Sequence, residues 1–279
     1  MSRGKLREIK KRISSTKSTM QITKAMQMVA SARTNKVQKQ IKAVRDYANY
    51  AKKIIGKISP DPESPFVKSG DGTLIVVITP DMGLCGSFTS DISKRALEES
   101  KKCADFKGFI VIGSKGMPEL KHTGNVLINR SDLYDIPSSE NAQFILDDII
   151  DIMNKESISK VKVVYGEYKN PLIQKPETAD ILPIKYEQDS ITNTYEFEPE
   201  PEILFEEASY LYVLSQVYMF MFETKISELY ARRNAMQNAT ENAKNLIDEF
   251  TLDYNKLRQA SITTELIEIV NGAQALQQE

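Results

Sequence analysis

All eleven prolines and ten of the twelve glycines lie between Gly56 and Pro201. The flanks, Lys5–Ile55 and Glu202–Asn271, therefore run for 51 and 70 residues without either breaker. A proline costs a helix interior about 3 kcal/mol relative to alanine and a glycine about 1. Ordinary globular helices span roughly 8–20 residues, so periodic stretches of this length point to a coiled coil, a membrane span or a helical repeat. No run of eighteen apolar residues exists, so a membrane span is excluded. The chain reads as one small globular domain inserted between two very long helices. That arrangement suits transmission of position or force better than enclosure of a substrate.

Charge separates the arms. Residues 1–58 carry sixteen Lys/Arg against Glu8 and Asp46, a net of +14, and residues 202–279 carry six basic and twelve acidic groups, a net of −6. The whole chain is at −1, which leaves −9 for residues 59–201. Oppositely charged arms favour pairing with one another, although exposed pairs contribute only about 0–1 kcal/mol each. The basic arm keeps a surplus, and cations at a helix N-terminus oppose its dipole. Arg3–Arg12 are thus expected to face an acidic neighbour. Cys85 and Cys103 form no disulfide framework and no metal spacing, which suits a reducing, cytosolic compartment. The basic N-terminus lacks the apolar core of a secretory signal.

Within the first arm, Ile22, Met26 and Val29, then Val37, Ile41, Val44, Ala48, Ala51, Ile55 and Ile58, step by threes and fours, a heptad seam. The second arm places Leu229, Met236, Ala239, Ala243, Leu246, Phe250, Leu257, Ala260, Thr264 and Ile267 on one repeat, with Arg232 and Asp253 filling the gaps. An antiparallel pair is the economical topology for arms that enter and leave one domain. Nineteen extra residues should make the second arm overhang the first by about 28 Å. That overhang, near Gln259–Gln278, carries Ile262, Leu266, Ile267, Ile269, Val270 and Leu276 and is expected to be sheathed by another chain.

The insert alternates. Strands are expected at Leu74–Thr79, Phe109–Gly113, Val126–Asn129, Lys160–Tyr168 and Ala179–Tyr186. Helices are expected at Ser87–Ala104, Lys115–Lys121 and Asn141–Asn154. This pattern implies an α/β layer with a mainly parallel sheet. Gly83-Leu-Cys-Gly86-Ser87 follows a strand and opens a helix, a place where phosphate is often held. It lacks both the dinucleotide and the P-loop spacing, and a tight turn that packs the helix against the sheet is the stronger reading. The lone His122 sits beside Thr123-Gly124 in an expected loop, and nothing in the sequence supplies the base that Cys85 would need as a nucleophile. Tyr210, Tyr212, Tyr218, Phe220 and Phe222 read as core beneath the α/β layer rather than as a base-stacking platform.

Ile262-Thr-Thr-Glu-Leu-Ile-Glu-Ile-Val-Asn-Gly-Ala-Gln-Ala275 matches the signature [IV]-T-x-E-x-x-[DE]-x-x-x-G-A-x-[SAKR] at every specified position. With Met236–Ala243, Tyr254–Ser261, Gln21–Ala30 and Gly83–Gly86, the chain resembles the gamma subunit of rotary F-type ATP synthases along nearly its whole length. The absence of a redox-cysteine insert and of a preceding transit peptide suggests the bacterial type. The resemblance implies an α/β fold: two long terminal helices forming an antiparallel coiled coil, with an inserted Rossmann-like α/β domain. The divisions fall at 1–58, 59–201 and 202–279.

The resemblance also implies a non-catalytic central rotor shaft without cofactors. Nucleotide and magnesium would sit on the surrounding alpha and beta subunits, and an epsilon subunit and a membrane c ring would lie at the foot. The site would be the cytoplasmic face of the bacterial inner membrane, peripheral and without insertion. Beta-subunit contacts would fall on Lys24, Met26, Arg232, Arg258, Gln259, Thr263, Glu265 and Glu268. The foot would use Tyr195, Phe197 and Glu198, in a segment richer in glutamate than the family pattern. The alternative is a coiled-coil adaptor or basic nucleic-acid-binding protein, whose affinity would fall steeply with salt.

Overall fold

The computed structural model describes residues 2–58, 61–68, 70–123, 125–133, 135–185 and 198–276. Contacts divide the chain into two units, residues 1–29 with 233–279 and residues 30–232. Both arms are helical: α1 covers Ser2–Ile55 and α5 covers Pro201–Leu276, 54 and 76 residues. Neither is interrupted, as the missing breakers require.

The larger unit holds a five-stranded sheet of β1 (Thr73–Ile78), β2 (Phe106–Ile112), β3 (Val126–Arg130), β4 (Lys160–Asn170) and β5 (Ile173–Leu182). Its order is β3-β2-β1-β4-β5. The first four strands are parallel, and β5 returns antiparallel to β4. Helices α2 (Phe88–Lys102), α3 (Met117–Leu120) and α4 (Ser139–Glu156) connect them. The last strand starts six residues before the expected Ala179 and ends at Leu182; Tyr186 lies outside the described residues. Pro176 sits within this strand, opposite Gly166. An edge strand tolerates proline because one side of it has no ladder bonds to lose.

β1 is buried on both faces, which is why its sequence is a continuous apolar run. Leu74, Val76 and Ile78 join a core with α4 and with Val213, Val217 and Met221 of α5. Ile75 and Val77 join a second core with Phe88, Ile92 and Ala96 of α2. Phe220 and Phe222 are buried and Tyr210, Tyr212 and Tyr218 partly so, as core residues should be. Within this unit α1 and α5 run antiparallel. Gln216 donates to the Ala48 carbonyl (3.2 Å), Arg45 pairs with Glu223, and the Tyr230 hydroxyl donates to Gln38 (3.0 Å).

The inward face of α1 differs from the expected seam in its first half. The residues turned in are Leu6, Ile13, Met20, Gln27, Thr34, Ile41, Ala48 and Ile55, at seven-residue spacing, with Thr23, Ala30, Val37, Val44 and Ala51 between. Ile22 and Val29, read as seam residues, are 61% and 56% exposed. In α5 the expected Met236, Ala243, Phe250 and Leu257 do turn in. Between them Ile247, Tyr254 and Ser261 replace Leu246, Asp253 and Ala260, each one residue further on. In the smaller unit this phase lets the Thr23 and Thr240 hydroxyls meet at 2.8 Å. Two adjacent stripes of a helix each repeat every seven residues, so the more apolar stripe was not the one the paired helix covers.

Candidate functional site

The residues expected to contact partners fall in two places. Lys24, Met26, Arg258, Gln259, Thr263, Glu265 and Glu268 belong to the smaller unit. Lys24 is exposed and donates to Gln27 (3.3 Å), while Met26 is half-buried beside the seam. Arg258, Gln259 and Glu268 are exposed and Glu265 is half-buried. The Thr263 hydroxyl, also exposed, returns a hydrogen bond to the Gln259 carbonyl at 3.0 Å. Ser261 is the last buried residue of α5 among those whose burial is described. Beyond it Ile262, Leu266, Ile267, Ile269 and Val270 are all more than half exposed, Ile269 at 67%. Five large apolar side chains on three turns of helix form the kind of patch that marks an interaction surface. Lys5, Arg7, Lys10, Lys11, Arg12 and Lys17 are exposed too. Arg12 pairs with Glu8 of its own helix (2.7 Å).

Arg232 is placed differently. Its side chain is 9% exposed and bonded to Glu228, one turn earlier. Its guanidinium also donates to the carbonyls of Met82 (2.8 Å) and Gly83 (3.3 Å). Glu228 in turn receives Lys225 (3.2 Å), which reaches Asp135 (3.1 Å), and Asp135 also receives Arg33 of α1 at 3.4 Å. The hydrogen bond from Lys225 holds the Asp135 carboxyl below its usual range, against the opposing effect of its partial burial. Sequence reading missed Lys225, Glu228 and Asp135. The i, i+3 and i, i+4 spacing of Lys225, Glu228 and Arg232 on a breaker-free arm was the available signal for two of them.

Gly83–Gly86 is a tight turn. Leu84 and Gly86 both take φ of +65° and Cys85 is buried, with its sulfur 3.5 Å from the Thr89 hydroxyl. The order of the sheet puts a topological switch between β1 and β4, where α/β folds usually receive ligands. Here α5 occupies that position. Arg232 binds the turn after β1, Thr224 accepts from the Gly166 amide of β4 (3.1 Å), and Ser227 donates to the Gly166 carbonyl (3.0 Å). A Cβ on Gly166 would come within 2.4 Å of the Phe88 ring, so glycine is what lets β4 approach α2 this closely. Tyr195 and Phe197 lie outside the described residues; Glu198 is exposed.

A family model described as ATP synthase matches residues 5–276. The ATP synthase gamma chain of Pelagibacter ubique is 36% identical over 289 aligned positions, covering 97% of this chain and 99% of that relative. That of Staphylococcus haemolyticus is 36% identical, covering 98% and 99%. The chain belongs to the ATP synthase gamma family. Its role is the one that family carries, the central stalk of an F-type ATP synthase, and the adaptor and nucleic-acid readings are not favoured. A chain of the Euglena gracilis mitochondrial ATP synthase, solved with OSCP, F1 and c-ring, superposes with a TM-score of 0.77. It is 20% identical and covers 98% of this chain and 95% of its own, a likeness of fold. No helix among the described residues is long and apolar enough to cross a membrane.

Proposed function

We propose that this gamma-family chain works as a rotor that does no bond chemistry itself and biases three catalytic beta subunits in turn. The observation that carries the reading is the stretch of α5 after Ser261, helical to Leu276 yet with Ile262, Leu266, Ile267, Ile269 and Val270 uncovered. Such a helix calls for a sleeve, and a ring of alternating alpha and beta subunits supplies one. Arg258, Gln259, Thr263, Glu265 and Glu268 would meet beta subunits there. Lys24 and Met26, beside the exposed basic face of α1, would meet acidic loops of the same ring. Arg232 would act through the Gly83 turn that it holds.

An off-axis rotor contacts three otherwise equivalent subunits differently. It shifts each one's conformational equilibrium only by its differential affinity for the states. Rotation carries that bias from subunit to subunit, with nucleotide and magnesium on the ring. Residues 59–201 form the foot domain between the helical arms 1–58 and 202–279 in this reading. Tyr195, Phe197 and Glu198 would lie toward the epsilon subunit and c ring, on the cytoplasmic face of a bacterial plasma membrane.

Coexpression with alpha and beta subunits tests the proposal. The full-length chain should copurify in a single ATP-hydrolysing complex, and a chain carrying Ile262→Asp and Ile269→Asp should not. Equal recovery of both in the complex would refute the sleeve.

A further inference from the structure

We propose that Lys225 is a positioning residue that keys α5 to the α/β layer, so that torque enters the stalk through a chain of ion pairs rather than through apolar contact alone. The chain runs from Arg33 on α1 through Asp135, Lys225, Glu228 and Arg232 to the Met82 and Gly83 carbonyls. Every member lies within residues 30–232. Lys225 and Glu228 are 5% and 2% exposed, while Asp135 is 50% exposed, so a buried ammonium on α5 reaches out to a half-exposed carboxylate after β3. Because β1 and β3 are parallel members of one sheet, the turn after β1 and the segment after β3 leave it at the same, carboxyl end of the strands. α5 is bonded to both, to the first by Arg232 and to the second by Lys225. Asp81 joins those two segments to each other and to the one after β2, accepting from the amides of Ser114 (2.8 Å) and Asp132 (3.3 Å).

The hydrophobic effect is non-directional, so apolar contacts orient a helix only through the fit of their shapes. A buried ion pair tolerates one geometry, because displacing either partner leaves a charge uncompensated. Replacing a buried pair by neutral groups of similar volume is often nearly neutral in stability. The role of Lys225 is therefore separable from folding. The same helix continues past Arg232 into the smaller unit, so a key at this point is placed where rotation of the layer would pass into the stalk. This inference rests on the rotor reading.

The test compares wild type, K225M/D135N, D135N and K225R, as chains and in the assembled alpha-beta-gamma complex; Glu228 keeps its pair with Arg232 in all of them. In the double variant the thermal midpoint stays near wild type, while amide exchange in residues 131–133 accelerates on the order of tenfold. In the complex, the angular variance of a probe on the α/β layer, with the ring immobilised, rises about twofold, since the tie from α5 to the segment after β3 is gone. D135N, altered at a half-exposed carboxylate, widens it in the same direction, and K225R keeps it at the wild-type value. Unchanged exchange, or unchanged variance in an assembled double variant or D135N complex, overturns the inference. Failure of the wild-type chain itself to assemble would instead defeat the rotor reading, and the exchange measurement on the free chain would still decide whether Lys225 positions the segment after β3.

Discussion

The two units use nearly the same helices in opposite ways. In residues 30–232, α1 and α5 bury Ile41, Val44, Val213, Val217 and Met221 against each other and the sheet, and that unit makes its own core. In residues 1–29 with 233–279, only Met236, Ala243 and Ser261 are buried among the described residues, while Ile22, Val29, Leu246, Leu252 and Ile262 face out. A region with that balance gains little from folding alone and leaves surface to be covered by something else. The lesson is that helix continuity and core burial are separate properties. The smaller unit has the first through sequence and draws little on the second.

The comparison breaks most severely at the sheet. Phe109→Ala, in a fully buried ring, should destabilise the larger unit by about 3–5 kcal/mol. Urea unfolding followed by far-UV and near-UV circular dichroism would show it, and a loss near 1 kcal/mol would mean that this core is not the source of stability. Ala243→Pro, in the seam of the smaller unit, should cost about 3 kcal/mol locally through the lost helix bond and ring clash. Exchange should accelerate around residue 243 and leave the sheet protected, and in the complex ATP-driven ion pumping should fall out of proportion to hydrolysis. Undiminished pumping would count against a stiff rotor.

A smaller effect separates the units by pH. Hydrogen bonds from Lys160 and Thr73 pull the Asp105 carboxyl down to about 2, against an ordinary value near 3.9. A carboxyl lowered in the folded state contributes stability that is fully present above the ordinary value. That contribution is lost as pH falls from about 4 through about 2. Asp105→Asn should thus lower stability at neutral pH and flatten the acid limb of the larger unit only. An unchanged acid limb would remove Asp105 from the account. The smallest effect belongs to Ile22→Ser, within about 0.5 kcal/mol for the free chain because its side chain faces water. A loss of 2 kcal/mol would restore the seam read from the sequence.

How far the sequence could be read follows from which forces are local. Missing prolines and glycines act residue by residue, so both arms were recoverable to within a few residues. The continuous run Leu74–Ile78 announced a buried strand because burial on both faces leaves no polar position. β5 was found only in its second half, since proline in a strand is acceptable or not according to whether a neighbour lies beyond it. Arg232 was read as filling a gap in the seam and as a beta-subunit contact, and the carbonyls it binds within this chain, roughly 150 positions away, could not be read from its neighbours.

Sequence alone determined the helical arms, their opposite charge, the α/β insert and the family, because propensity, composition and motif are written in adjacent residues. Tertiary structure decided which stripe of each helix became the seam, that α5 fills the ligand position of the sheet, and that Lys225 lies at the centre of an ionic chain. A helix carries several stripes with the same period, and only the chain packed against it selects among them.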